Sequence, residues 1–382
     1  MSYRFTLEDV DFLRSAAGAE AIAEIDRLAL TGASYLADVR TARAMVGPRA
    51  GAVLETVLLR RRAAFKVDDP ARWLFTDDAL QQATPGPVAR HRAARFAGLD
   101  VHDVTCSVGV DLAALSAVAR RCVGSDLDPV RLAMARHNTG VPVLRADALR
   151  PVSRGTAVFA DPGRRDAAGR RRWRPEDFTP ALDALAEAYR GRDLAVKCAP
   201  GIDLPWNGEV ELVSLDGQVR EACLWQGSLA STSNRRATVL RTGCPMWTIT
   251  DGEPDDCPVR PVGEWIVDPD GAVVRAGLVR QYAARHGLGQ LDERIAYLTG
   301  DDAPPGIRAF RVREHGHYSE KSLRATLRRL GVGRLEILVR GLDVDPNALR
   351  PRLKLRGDAE ASVVLTRIGR TPTAFVCSAE RT

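Results

Sequence analysis

From about residue 99 the chain changes texture. Short apolar runs of strand length alternate with stretches of helical periodicity, and run after run ends in a small or acidic residue. The runs are DVHDVTCS, RCVGSDLD, VPVLRAD, TAVFADP and DLAVKCAP, with helical patterns at 111–121, 129–138 and 178–190 between them. Strands that alternate with helices pair in parallel, because a parallel return needs a crossover long enough to hold a helix, and those helices cover the sheet. The spacing predicts an α/β core of Rossmann-like form. Such sheets bind ligands outside the carboxyl ends of their strands, so the residues at those ends are the candidate site.

The first run ends in Cys106-Ser107-Val108-Gly109, and a helix follows by Asp111. A small-residue turn lets backbone approach a ligand and presents helix amides to it; alone it reads equally as a structural turn. The second run ends in Asp126 and Asp128, roughly 20 residues on, where a Rossmann unit places the acid that grips ribose hydroxyls. Asp126 is assigned to the ribose, and Asp128, directly before Pro129, mainly to a helix cap. Asp147, after the third run, is read either as the acceptor of an adenine amino group or as a solvated loop acid. Asp161-Pro162, after the fourth, lies where substrate binds, although an acid before proline is also a turn signal. Lys197 ends the fifth run and reads either as approaching the same cleft or as a surface lysine.

Residues 1–97 read as helical, with Leu13, Ala16, Ala17, Ile22, Ile25, Leu28 and Leu36 spaced by threes and fours and a second helix through AGAVLETVLLRRRAAF. Within 98–241, the final stretches EVELVSLDG, REACLWQGS and RRATVLRTG alternate as antiparallel edge strands do. Residues 242–305 connect, through a strand-turn GEWIVDPDGAVVRAG and a helix at 277–287, to a small α+β module at 306–382.

The net charge of +6 and pI near 9.1 suit an anionic partner such as RNA. The positive charge is nearly all arginine, which a GC-rich genome also produces. Seven cysteines without a C-x-x-C pair point to a reducing cytoplasm and away from disulfides or zinc. His315 and His317 lack a third ligand, so no metal is expected. No apolar run is long enough to span a membrane, and the first residues do not read as a signal peptide. A cytoplasmic protein is expected.

In order, CSVGVDL, SDLDPVRLAMARHN, RADA and ADPGRR resemble the class I S-adenosylmethionine-dependent methyltransferases, nearest the branch related to trimethylguanosine synthase. With WLFTDDALQQATPGPVARHRAARF (73–96), VKCAPG (196–201) and EHGHYSEKSLRATLRRLGVGRLEILVRG (314–341), nearly the whole chain resembles bacterial methyltransferases that end in a THUMP-like domain. The resemblance implies S-adenosyl-L-methionine as cofactor, a seven-stranded sheet with one antiparallel strand, and a tail that grips RNA. It implies that Thr105, Ser107, Gly109 and Asp111 lie along the methionine end of the cofactor, with Gln82 and Thr84 closing over it. Two departures stand out. Ser107 and Val110 replace glycines of the cofactor loop, and Gly163 and Arg164 stand where relatives that act on exocyclic amines have a second proline and an aromatic.

The resulting expectation is methylation of an RNA base. Asp161 and the backbone after it would orient the acceptor N–H groups, and Arg164 or Trp173 would stack on the extruded base. Arg165 and the run Arg170-Arg171-Arg172 would neutralise phosphates or form a solvated loop. Arg324, Arg328 and Arg329 share a helical face that either binds phosphate or stays solvated. The alternatives are a non-catalytic RNA-binding protein that keeps the fold and a methyltransferase acting on DNA or a small molecule.

Overall fold

The computed structural model describes residues 3–163, 175–202 and 206–381. The chain divides into two units, Met1–Thr232 with Leu240–Pro245, and Ser233–Val239 with Met246–Thr382. Apart from Ser233–Val239, regions 1–97 and 98–241 fall together in the first unit. Regions 242–305 and 306–382 share the second, apart from residues 242–245.

In the first unit seven strands pair: β1 (Asp100–Asp103), β2 (Arg121–Asp126), β3 (Val143–Arg145), β4 (Ala157–Ala160), β5 (Leu194–Cys198), β6 (Glu209–Leu215) and β7 (Gln218–Gln226). They run in the order β3-β2-β1-β4-β5-β7-β6 and are the first seven strands of a nine-stranded sheet. β1 to β5 pair in parallel, whereas β7 is antiparallel to both β5 and β6. The seven form a Rossmann-like sheet with one reversed strand, the pattern that the resemblance implies. β4 and β5 are buried at every position, as central strands covered on both faces must be, and their near-continuous apolar sequence follows from that. Phe96, Phe159, Trp225 and Leu115 fill one side of the sheet.

The N-terminal region folds into helices Leu7–Arg14, Ala16–Asp26, Tyr35–Val46 and Ala50–Ala63. The periodic run from Leu13 to Leu28 is therefore split. Ser15 leaves helical backbone and its hydroxyl caps Gly18 N, and Gly18 admits Phe12 O at 2.0 Å from where a Cβ would lie. The core of this region (Val10, Leu13, Ile22, Ile25, Val53, Val57) also takes in Val108 and Met134 of the sheet-forming region. The helices expected at 111–121 and 178–190 are shorter, at Val110–Ser116 and Leu182–Ala188.

In the second unit seven strands form one sheet, in spatial order Gly289–Asp292, Ile295–Gly300, Trp265–Val267, Arg308–His317, Thr371–Arg381, Ala359–Ile368 and Val332–Val339. The segment 242–305 thus supplies three of its strands. Helices Glu320–Arg329 and Pro346–Leu353 cover one face through Leu323, Leu327, Leu349 and Leu353. The run DPDGAVVRAG is not the second half of a strand-turn. Asp270 caps Ala272 N to start the helix Gly271–Ala276, and Gly277 ends it in left-handed backbone. Among the described residues no helix is long and apolar enough to cross a membrane, and no group of three or more His, Cys, Asp or Glu could hold a metal ion.

Candidate active site

A cleft of about 1080 Å³ lies at the carboxyl ends of β1 to β4. Thr105, Ser107, Val108 and Asp111 line it after β1, Asp126, Leu127 and Arg131 after β2, Asp147 and Leu149 after β3, and Asp161 and Gly163 after β4. Asp78, Ala79, Gln82 and Ala83 of the N-terminal region complete the wall. The strand tips singled out in the sequence therefore meet in one place.

The turn after β1 is held under tension. Ser107 has φ +50° and Gly109 φ +92°, the first an expensive conformation for a residue with a Cβ. Ser107 N donates to Asp126 Oδ2 at 3.1 Å, and Gly109 N donates to Cys106 O at 2.8 Å. Gly109 itself is not among the wall residues. A Cβ there would lie 2.8 Å from Thr139 Cγ2 and 3.3 Å from Ala135 Cα, so the missing side chain lets the turn pack closely on the helix Pro129–Thr139. Asp126 also accepts from Asp128 N at 2.9 Å; a carboxylate has about four lone-pair directions, so capacity remains for a ligand. Asp128 is off the wall and caps Val130 N and Arg131 N. Asp147 accepts from Leu149 N at 2.9 Å. Leu127 and Leu149, 60% and 37% exposed, give this end of the cleft an apolar shelf that the sequence reading missed.

Behind the wall lies a web of buried charge. Lys197, 4% exposed, is neither a surface lysine nor part of the wall. Its ammonium donates to Asp161 Oδ2 at 2.5 Å and to Gln82 O at 3.4 Å, and lies 3.6 Å from Asp111 Oδ2. Burial alone would draw off its proton, but Asp161 and Asp111 outweigh that and hold its pKa above the ordinary value. Lys197 is therefore a fixed cation, not a base. Asp111 is bonded on its other oxygen by Arg92 and approached by the Thr84 hydroxyl at 3.4 Å. Burial pushes its pKa up, yet Arg92 and Lys197 prevail and leave it below the usual range. Arg92 also grips Glu221 of β7 at 2.5 and 2.6 Å and lies 4.7 Å from the Phe159 ring centre. Thr84 is 2% exposed and sits behind the wall. The Thr105 hydroxyl accepts from Asp161 N at 2.6 Å, tying the β1 turn to the β4 tip.

Asp103, the last residue of β1, was not singled out in the sequence. It lines the cleft and is 1% exposed. Oδ1 accepts from Thr105 N at 3.2 Å, while Oδ2 has no partner among the described residues. Burial first, and the negative charge of Asp111 next, push its pKa well above the carboxylate range. Nothing in the sequence sets it apart, since its strand Asp100–Asp103 also holds Asp100 and His102.

Pro162 is buried and off the wall. Gly163 carries the chain on by pairing in both directions with Thr179, at 2.8 and 2.9 Å. Arg164, Arg165 and Trp173 lie outside the described residues. Arg324 and Arg328 belong to the second unit. Arg324 is committed to Glu320 and to the Arg352 carbonyl, while Arg328 is exposed.

Over 361 residues the chain is 55% identical to proteins of two Mycobacterium tuberculosis strains, each described as an uncharacterized S-adenosylmethionine-dependent methyltransferase; the match takes in 89% of this chain and 100% of each relative. The chain belongs to the S-adenosylmethionine-dependent methyltransferases. The methyltransferase also shares its fold with a Porphyromonas gingivalis W83 protein whose crystal structure is described as that of a candidate methyltransferase. There the TM-score is 0.75 at 18% identity, covering 99% of this chain and 100% of the other. Residues 307–379 match the THUMP domain-like family, and residues 6–63 match a domain of unknown function, DUF8688. The cleft of the methyltransferase fits its cofactor in chemistry. Asp126 and Asp147 are acceptors suited to a nucleoside, the leucine shelf suits a base, and the unpartnered Asp103 oxygen would suit a ligand that brings a donor.

Proposed function

We propose that the enzyme methylates a base in RNA, with Asp161 at the acceptor and the β1–β3 tips at the cofactor. The observation that carries this is the convergence of Ser107, Asp126, Asp147 and Asp161 on one cleft, in a chain that also has a THUMP-like region. In this reading Asp126 accepts from the ribose hydroxyls, Asp147 serves the adenine end, and Thr105, Ser107, Asp103 and Asp111 serve the methionine end. Gln82 closes that end from the N-terminal side, and Thr84 supports Asp111 from behind it. Bound S-adenosylmethionine supplies a methyl group on a sulfonium, open to in-line attack.

The residues of this chain have the task of aligning the acceptor and keeping water out. Asp161 accepts from the acceptor's N–H groups and so turns a nitrogen lone pair toward the methyl. Lys197 fixes that carboxylate from behind. Arg165 and its arginine neighbours, with Trp173, bind the RNA strand, and Arg328 adds a contact from the second unit. The net charge of +6 supports a polyanionic acceptor.

The test is transfer of labelled methyl from S-adenosylmethionine to total RNA from a deletion strain, followed by nucleoside mass spectrometry. One methylated nucleoside, absent from the deletion strain and restored by the enzyme, is expected. Label that survives ribonuclease and follows DNA or a small molecule overturns the RNA reading. Asp161→Ala should keep cofactor affinity while transfer falls at least about tenfold, or ~1.4 kcal/mol of barrier. Asp126→Ala should weaken binding of S-adenosylhomocysteine first.

A further inference from the structure

The side chain of Asn138 makes three hydrogen bonds between two segments far apart in the chain. Its Oδ1 accepts from Leu74 N at 2.8 Å, and its Nδ2 donates to Leu74 O at 2.9 Å and to Val108 O at 2.8 Å. Leu74 belongs to the segment that leaves the N-terminal helices, and Val108 is the middle of the turn after β1. We propose that Asn138 is a positioning residue for the cofactor, latching that turn to the N-terminal helical region, and that this region thereby sets cofactor affinity. The inference rests on the cofactor role given above to the β1 turn.

Three observations carry it. The turn is strained at Ser107, and a strained backbone persists only where its surroundings over-determine it. Its anchors are Asp126 on one side of Val108 and Asn138 on the Val108 carbonyl. Moreover, Val108 is 1% exposed and packs into the same core as Val10, Ile25 and Val53 of the N-terminal helices. That region therefore packs directly against the turn. Finally, the bonding pattern is specific to asparagine. Aspartate lacks the two N–H donors, alanine lacks every partner, and glutamine carries an extra methylene. Leu74 is fully buried and is not a cleft residue, so it does not meet the ligand directly.

The test uses the full-length enzyme and S-adenosylhomocysteine, which needs no methyl acceptor. Calorimetry on Asn138→Ala and Asn138→Asp should show affinity at least about tenfold weaker than wild type, and the rise in melting temperature on adding ligand should shrink. Val213→Ala, in buried β6 away from the cleft, should lower the melting temperature and leave affinity within about twofold. In the unsubstituted protein, hydrogen exchange should slow on ligand binding at the Leu74 amide together with the amides of 105–110; this reading survives even if the Asn138 variants do not fold. Folded Asn138 variants with wild-type affinity, or a Leu74 amide indifferent to ligand while the turn is protected, overturn the latch. Asp126→Ala separates the two ideas: if it too binds normally, the cofactor assignment of the cleft fails, whereas if it alone binds poorly, only the latch fails.

Discussion

Replacing Lys197 by methionine tests the web of charge behind the active site. The ammonium is 4% exposed and faces Asp161 at 2.5 Å and Asp111 at 3.6 Å. Removing one partner of a buried pair leaves the other charge without compensation and costs roughly 3–5 kcal/mol. Here the low end applies, because Asp111 keeps Arg92 and the Asp161 side chain is 20% exposed. A loss of about 3 kcal/mol lowers the melting temperature by roughly 6–12 °C for a unit of this size.

The pH dependence has a definite sign. In the wild type the Lys197 pKa is raised above its ordinary 10.5, so its stabilisation is complete below that value and lost as pH rises through the folded pKa. Asp111 lies below its ordinary 3.8, so its contribution is present above that value and lost as pH falls through the folded pKa. In Lys197→Met, Asp111 loses one of the two cations that hold its pKa down, so the deficit against wild type should narrow as pH falls toward the ordinary carboxylate value. Thermal denaturation of Lys197→Met, Asp161→Asn and the double variant forms a cycle. The double variant should recover about 2 kcal/mol or more relative to the sum of the singles. A Lys197→Met protein within ~1 kcal/mol of wild type, or strict additivity in the cycle, would refute this account.

Asp103→Asn removes a buried acid whose raised pKa makes the folded state bind protons more tightly than the unfolded one, so that wild-type stability falls as pH rises. The variant should melt higher than wild type at pH 8, and the advantage should shrink as pH falls toward 3.8, the ordinary value at which the penalty of the wild-type acid begins, measured by thermal denaturation. Ser107→Gly relieves a left-handed residue and should stabilise by about 0.5–1 kcal/mol, the strain relieved less the entropy cost of glycine. Gly109→Ala should destabilise by roughly 2 kcal/mol, since the methyl meets Thr139 and Ala135 and φ is +92°; denaturant midpoints distinguish the two.

The sequence showed the parts of the site that repeat a local pattern. Asp126, Asp147 and Asp161 each follow an apolar strand, and Asp128 before Pro129 is a cap by the same local logic that the hydrogen bonds show. What it did not show are partnerships across the chain. Arg92 and Glu221 are 129 residues apart, Lys66 and the Leu80 carbonyl 14, and Asn138 and Leu74 64. No periodicity encodes such pairs. Lys197 illustrates the point: in sequence it is a charge within an apolar run, and only the fold shows that carboxylates from two other segments, Asp111 and Asp161, keep it there. Gly271–Ala276 was misread for a local reason. Two adjacent valines favour a strand, but the Asp270 cap and the Gly277 terminus outweigh that preference over a helix of 6 residues.

The polypeptide passes from one unit to the other three times, at 232/233, 239/240 and 245/246. No single scission separates them cleanly. A fragment stopping at residue 232 forfeits Leu240–Pro245, and one beginning at 233 carries that piece along without its parent. Exchange of the second unit between relatives is therefore not a matter of joining two modules at a linker; it has to carry both returns of the chain with it.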